Sequence, residues 1–122
     1  MSQIEDAIAA LKAALANVEQ LDGRIYEDLG FTVTGVSAII TPPTLTWGSF
    51  GRGDGPTEAT FVVHLAVPFD EYATARLYPL VEPMRDAIEA DPLFTVASAS
   101  PALLQQGGAQ LPTYALTVDV GL

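Results

Sequence analysis

The segment Thr60 to Val67 alternates with a period of two. Phe61, Val63, Leu65 and Val67 fall on one side, and Thr60, Val62, His64 and Ala66 on the other. That is the pattern of a strand with one strongly apolar face. It runs through Pro68 into Phe69-Asp70-Glu71. Ala73, Leu77, Leu80, Val81, Met84 and Ile88 then recur at helical spacing to about Glu89, with Asp70 placed to cap the start. The chain closes on a second alternating run, in which Tyr114, Leu116, Val118 and Val120 oppose Ala115, Thr117 and Asp119. A strand, a helix and a terminal strand in this order commit the chain to a sheet covered by helices.

The rest of the chain is consistent with that frame. Ser2 and Glu5 have the spacing of a capping box, and Ile4, Ile8, Leu11, Leu15 and Val18 draw one apolar stripe, which predicts a helix over residues 3 to 18. Asp22-Gly23 ends that element or turns the chain. Val36 to Thr41 and Thr44 to Trp47 read as strands, separated by Pro42-Pro43, which cannot donate to a ladder. In the second helix, Pro79 and Pro83 each remove an amide, at roughly 3 kcal/mol for an interior position, so a kink or restart is expected near Tyr78. Phe94 to Ala99 reads as a short strand, and Gln105-Gln106-Gly107-Gly108 as a loop. The fold class is therefore α+β: one domain over residues 1 to 122, with an antiparallel or mixed sheet and two main helices packed on one face. At 122 residues, a single domain buries about two thirds of the surface its unfolded chain exposes.

Composition narrows the function. With no cysteine, disulfides, thiolate metal sites and cysteine nucleophiles are excluded. The acidic N-terminus lacks the basic region and apolar run of a signal peptide, and no apolar stretch approaches membrane-spanning length, so a soluble, unexported product with no membrane partner is expected. Fifteen acids against five cations give a net charge of −10, with the acids spread along the chain. Lys12, Arg24, Arg52, Arg76 and Arg85 are too dispersed to form a basic patch, which argues against direct nucleic-acid binding.

The motifs of catalysis are missing as well. His64 has no convergent partner in the sequence and reads as a structural histidine at the rim of the core. There is no nucleophile elbow, no metal-binding histidine pair and no Walker sequence. Gly51-Arg52-Gly53-Asp54-Gly55 has neither the Lys-Ser/Thr nor the helix start that a phosphate loop needs. The expectation is a protein that is not an enzyme and needs no cofactor or metal. Trp47, Phe50 and Arg52 flank or occupy a glycine-rich loop that cannot bury them by itself, and these are residue types enriched at interface hot spots. Trp47 fits equally well as a core filler at the end of its strand.

Several runs resemble the tail terminator (tail completion) proteins of long-tailed, non-contractile bacteriophages, particularly those of actinobacteria. They are Ile39-Ile40-Thr41-Pro42-Pro43 with Leu45-x-Trp47; Phe61-x-Val63-x-Leu65-x-Val67-Pro68-x-Asp70; Leu77-x-x-Leu80-Val81; and Gly107-x-x-x-Leu111-Pro112-x-Tyr114-x-Leu116-Thr117-Val118-x-Val120. The resemblance covers most of the chain after residue 36 and rests on hydrophobic order, without a chemical motif. It implies a virion structural protein at the tail–neck junction, assembled in the host cytoplasm. As a homo-hexameric ring it would cap the tail tube, end tail polymerisation and offer the surface that joins the head. Its partners would be other copies of itself, the major tail tube protein and the head–tail connector or neck proteins, with DNA passing through the lumen without specific binding. Another neck or connector component is the nearest alternative, and a small α+β ligand-binding domain the next.

A ring needs heterologous contacts, which loops and sheet edges supply. The loop Trp47 to Thr57 and the segment Gln105 to Leu111 are therefore the expected contacts, with Trp47, Phe50, Arg52, Asp54, Gln105, Gln106 and Leu111 as interface residues. Deleting Phe50 to Gly55 is expected to leave a folded chain, judged by circular dichroism, that no longer caps tails. Normal head–tail joining by that variant would overturn the expectation.

Overall fold

A computed structural model describes residues 3–27, 35–47, 56–68, 73–106 and 109–121, excepting the side chains of 73, 74, 105, 106 and 109. The elements are α1 (Gln3–Leu15), a 3-10 turn (Glu19–Leu21), β1 (Ile25–Tyr26), β2 (Ser37–Ile40), β3 (Thr44–Thr46), β4 (Glu58–Ala66), α2 (Ala73–Glu89), β5 (Phe94–Gln106) and β6 (Ala109–Gly121). The strands form one sheet in the order β1-β2-β4-β6-β5, with β3 also pairing to β4. Among the described residues, only the β1–β2 pair is parallel. This is the expected α+β class, with a mixed sheet.

The centre of the sheet is the β4–β6 ladder, from Glu58↔Gly121 to Ala66↔Thr113. Its register sets Phe61 opposite Val118 and Val63 opposite Leu116, so the apolar sides of both strands fall on one face. Leu11 and Leu15 of α1 and Leu77, Met84 and Ile88 of α2 close over that face. Both helices therefore lie on the same side. On the other face, Ile39, Ala66, Leu104 and Leu111 form a smaller buried cluster. Among the described residues, every buried side-chain nitrogen and oxygen has a hydrogen-bond partner.

The first helix ends at Leu15, shorter than its apolar stripe. Val18 is nonetheless buried, because the 3-10 turn that follows folds back onto the same core. Asp22 (φ 47°) and Gly23 (φ 78°) both adopt the left-handed conformation, as the Asp-Gly pair predicts, and send the chain into β1. Arg24 fastens this entry: its Nε donates to the Val36 carbonyl at 2.8 Å and its Nη2 to that of Gln20 at 3.2 Å. A Cβ at Gly35 would stand 2.8 Å from the Arg24 guanidinium, so a side chain there would push the guanidinium aside and disturb its hydrogen bond to Val36. The capping residues Ser2 and Asp70 lie outside the described residues.

Two expectations are corrected. The restart expected near Tyr78 does not occur, since helix α2 runs through Pro79 and Pro83 without interruption. The prolines are four residues apart and share one side of the helix, where Pro79 is exposed and Pro83 half-buried. The carbonyls of Ala75 and Pro79, which lose their intrahelical donors, therefore lie on the side where water can replace them. The short strand expected at Phe94 to Ala99 continues to Gln106, so Gln105 and Gln106 belong to β5 and not to a loop. Pro42-Pro43 behave as expected: β2 stops at Ile40, β3 starts at Thr44, and both pieces pair with β4.

Phe61 is fully buried at the centre of this core. Phe61→Ala is expected to cost about 3–5 kcal/mol, a large share of the roughly 5–15 kcal/mol that holds a domain together. Urea denaturation checks this against Thr95→Ala, an exposed position expected to change stability by less than about 0.5 kcal/mol.

Candidate interaction surface

Strand β5 is one outer edge of the sheet, and with β6 it forms a hairpin longer than the strand beside it. The last β6 residue paired with β4 is Thr113. Beyond it, among the described residues, the rows Leu103↔Pro112, Leu104↔Leu111, Gln105↔Gln110 and Gln106↔Ala109 pair only with each other, as an arm past the end of the β4 ladder. Pro101 and Pro112 fit this arm without breaking it. Their rows, Pro101↔Tyr114 and Leu103↔Pro112, are two residues apart and so of one kind. Prolines are tolerated in the kind whose amides point away from the partner strand.

The base of the arm is apolar on both faces, and its outer rows carry Gln105, Gln106 and Gln110. On the helix side, Leu103 is 61% exposed beside Pro101 and Pro112. At the base of that side, Tyr78 of α2 packs edge-on against Tyr114, with centroids 5.9 Å apart and ring planes at 71°. A contact of this geometry contributes roughly 0.5–1.5 kcal/mol. On the opposite side, Leu104 and Leu111 turn in against Ile39 and Ala66. The first part of the β5 edge is closed by the end of α2. Glu89 Oε2 accepts from the Val96 amide at 3.0 Å, and Glu89 Oε1 accepts from Arg85 Nε at 3.2 Å. The Val96 amide, and after it Arg85, holds the Glu89 carboxyl below its ordinary range. A bulge between Val96 and Ser98 follows, and no charged side chain occurs on the edge beyond it.

The expected interface residues are distributed unevenly. Trp47 follows β3 and is 54% exposed, so it is not a core filler. Phe50, Arg52 and Asp54 lie outside the described residues. The backbone of Gln105 and Gln106 forms the end of β5. Leu111 is only 7% exposed and packs within its own chain; the leucine that faces outward is Leu103, which periodicity did not single out. Trp47 and the arm do not come together. Thr46 lies across β4 from Gly121, at the far end of β6 from Leu111, on the order of 30 Å away at ~3.4 Å per residue.

A sequence signal for the arm does exist. The 27 residues from Pro92 to Val118 contain no charged side chain, in a chain with 15 acids and five cations. The run coincides with β5 and most of β6. Eight charged residues fall in 1–28 and eight in 70–91, the helical segments and their flanks, while β2 to β6 carry only Glu58 and Asp119. Along the sequence the acids look dispersed. In the fold, the charge belongs to the helical segments and the sheet is nearly neutral.

A second feature is an open groove of about 480 Å³ between α1 and the β2–β3 link, floored by Ile8, Ile40, Pro42 and Pro43. Its rim carries Glu5 and the Lys12–Glu27 ion pair, 2.9 Å apart. Among the described residues, no three His, Cys, Asp or Glu side chains converge on a metal-sized site, and no helix is long and apolar enough to cross a membrane. No protein-family model and no curated protein matches the chain significantly.

His64 lies on the face away from the helices, half-buried, with Nδ1 3.0 Å from Thr113 Oγ1. Burial lowers its pKa from the ordinary 6.5. Below about pH 6.5, the unfolded chain therefore takes up a proton that the folded chain resists, so stability is whole above that pH and falls as the pH drops through the window beneath it. The melting temperature is expected to fall between pH 7.5 and 5.5, and His64→Gln to shrink that fall. An unchanged difference would show that His64 does not contribute.

Proposed function

We propose that this chain is a structural virion assembly protein of the tail-terminator kind. It forms a ring, hexameric in that reading, which caps the tail tube, ends its polymerisation and presents the surface to which the head joins. The observation that carries the proposal is the hairpin arm, uncharged from end to end, with Leu103 exposed beside Pro101 and Pro112. A strongly acidic chain gains nothing in solubility from such an arm. An assembling subunit gains a surface that a like-charged copy or a tube can approach.

The hydrophobic order from Ile39 to Val120 supports the same reading through its resemblance to tail terminators. The net charge of −10 suits a ring through which DNA passes without adhering. The partners are further copies of the chain, the tube protein and the neck proteins, at the tail–neck junction of the virion. The reading assigns no catalytic step and no cofactor. A different neck component would use the same arm.

One observation favours a second reading. The groove between α1 and Pro42-Pro43 has the size and the apolar floor of a small-ligand site, as a ligand-binding domain would have.

Electron microscopy of the protein mixed with tail tubes separates the two. A ring at one end of each tube, with tube lengths fixed in its presence and unbounded in its absence, is the expected result. Bare tube ends, together with a monomer that takes up a small apolar ligand in the groove, would overturn the proposal in favour of the second reading.

A further inference from the structure

Self-association of a chain with net charge −10 is opposed wherever charged surfaces meet. Two long stretches are free of that opposition. One is the run from Pro92 to Val118, and the other is the run from Leu29 to Gly51, also without a charged residue, which contains β2, β3 and Trp47. The two stretches reach opposite edges of the sheet. β5 is the outer strand on one side, and β3 borders β4 on the other.

Each edge also carries an exposed large apolar side chain, Leu103 on the arm and Trp47 beyond β3. These residues differ in kind, occupy opposite corners of the sheet and stand too far apart to form one patch. A two-fold dimer uses one patch twice and would leave the other uncovered. A head-to-tail contact uses two different patches once each, and the pair then keeps one free patch of each kind, through which further copies add until the ring closes.

We infer that the hairpin arm of one copy docks on the β3–Trp47 edge of a second copy, with Leu103 and Trp47 as the anchors; among the described residues, β3 pairs on its β4 side only. Charge supports this occupant over an unrelated partner. β3 and the arm are themselves uncharged on an otherwise acidic chain, with Glu58 paired to Thr46 beside them, so the two strands are matched to each other and neither selects a basic protein. Arm overhang supplies the reach, since four rows of the hairpin extend past β4. The inference rests on the reading of the chain as a self-assembling protein, and does not depend on what the assembly caps.

Leu103→Glu and Trp47→Glu test it, because both side chains are exposed and neither substitution empties the core. Sedimentation of the wild-type chain is expected to show a closed oligomer. Each variant alone is expected to be a folded monomer by circular dichroism, with self-association weakened about 30-fold or more, the loss typical of a hot-spot side chain. The decisive sample is an equimolar mixture of the two. The intact arm of Trp47→Glu and the intact edge of Leu103→Glu should give a one-to-one dimer that grows no further.

Wild-type protein that stays monomeric up to about millimolar concentration overturns the inference, as does either variant assembling like the wild type. Trp47→Glu assembling while Leu103→Glu does not would point to an arm-to-arm contact instead. If both variants still form rings on tail tubes, the seam is wrong and the terminator reading survives. If the mixture dimerises but the wild type leaves tube length unchanged, the seam survives and the terminator reading fails.

Discussion

Everything else in this molecule is hung on the antiparallel ladder between β4 and β6. The two strands are far apart in sequence, so their pairing closes a long loop, and that cost must be recovered by burial. Phe61, Val63 and Leu65 on one strand and Leu116, Val118 and Val120 on the other are each inaccessible to solvent. At roughly 1.5–3 kcal/mol for a fully buried large apolar side chain, they are the natural source of that recovery. A one-residue slip in this register would turn the apolar sides of the strands outward and leave α1 and α2 nothing to cover. The helices, the β2–β3 edge and the hairpin all take their positions from it.

That ladder was legible because its signal is local and strict. Period-two alternation over the eight residues from Thr60 to Val67 and seven of β6 can be satisfied by little except strands with one buried face. The helix stripes were legible for the same reason, and the Asp22-Gly23 turn because few residues tolerate a left-handed backbone. Sequence reasoning failed where a local rule was overridden by surroundings. The two prolines of α2 forecast a kink or a restart; no restart occurs, because their spacing of four gathers both lost hydrogen bonds on the solvent side, where a helix tolerates them best. The end of β5 was obscured because Gln105, Gln106 and the glycines that follow have loop composition. Their strand state comes from pairing with β6, a partner outside any short window.

The candidate surface was harder to read than the fold. Residue type drew attention to Trp47, and the structure leaves it exposed. Residue type also drew attention to Leu111, while the leucine on the outside is Leu103, on the opposite strand. Exposure depends on which face a position occupies and on what lies over it, and neither is a property of the residue itself. The stronger signal was negative: a long interval without charge. Such an interval is inconspicuous when charges are counted along the chain, and becomes informative once the fold gathers the charges beside the helices.

The bulge between Val96 and Ser98 has a further effect on the arm. Phe94 and Val96 point toward the helices, and an unbroken strand would send Ser98, Ser100, Ala102 and Leu104 the same way. Ala97 is the additional residue, and it resets the alternation, so that Ala99, Pro101 and Leu103 take the helix side and Leu104 joins Ile39 and Ala66 behind the sheet. One inserted residue thus acts as a phase switch for the whole distal hairpin. Straightening the bulge with Ala97 retained would alter neither charge nor composition, yet it would exchange the hidden leucine for the displayed one, whereas deleting Ala97 would leave both leucines where they are. The specificity of this surface is encoded as much in the parity of strand length as in the side chains that compose it.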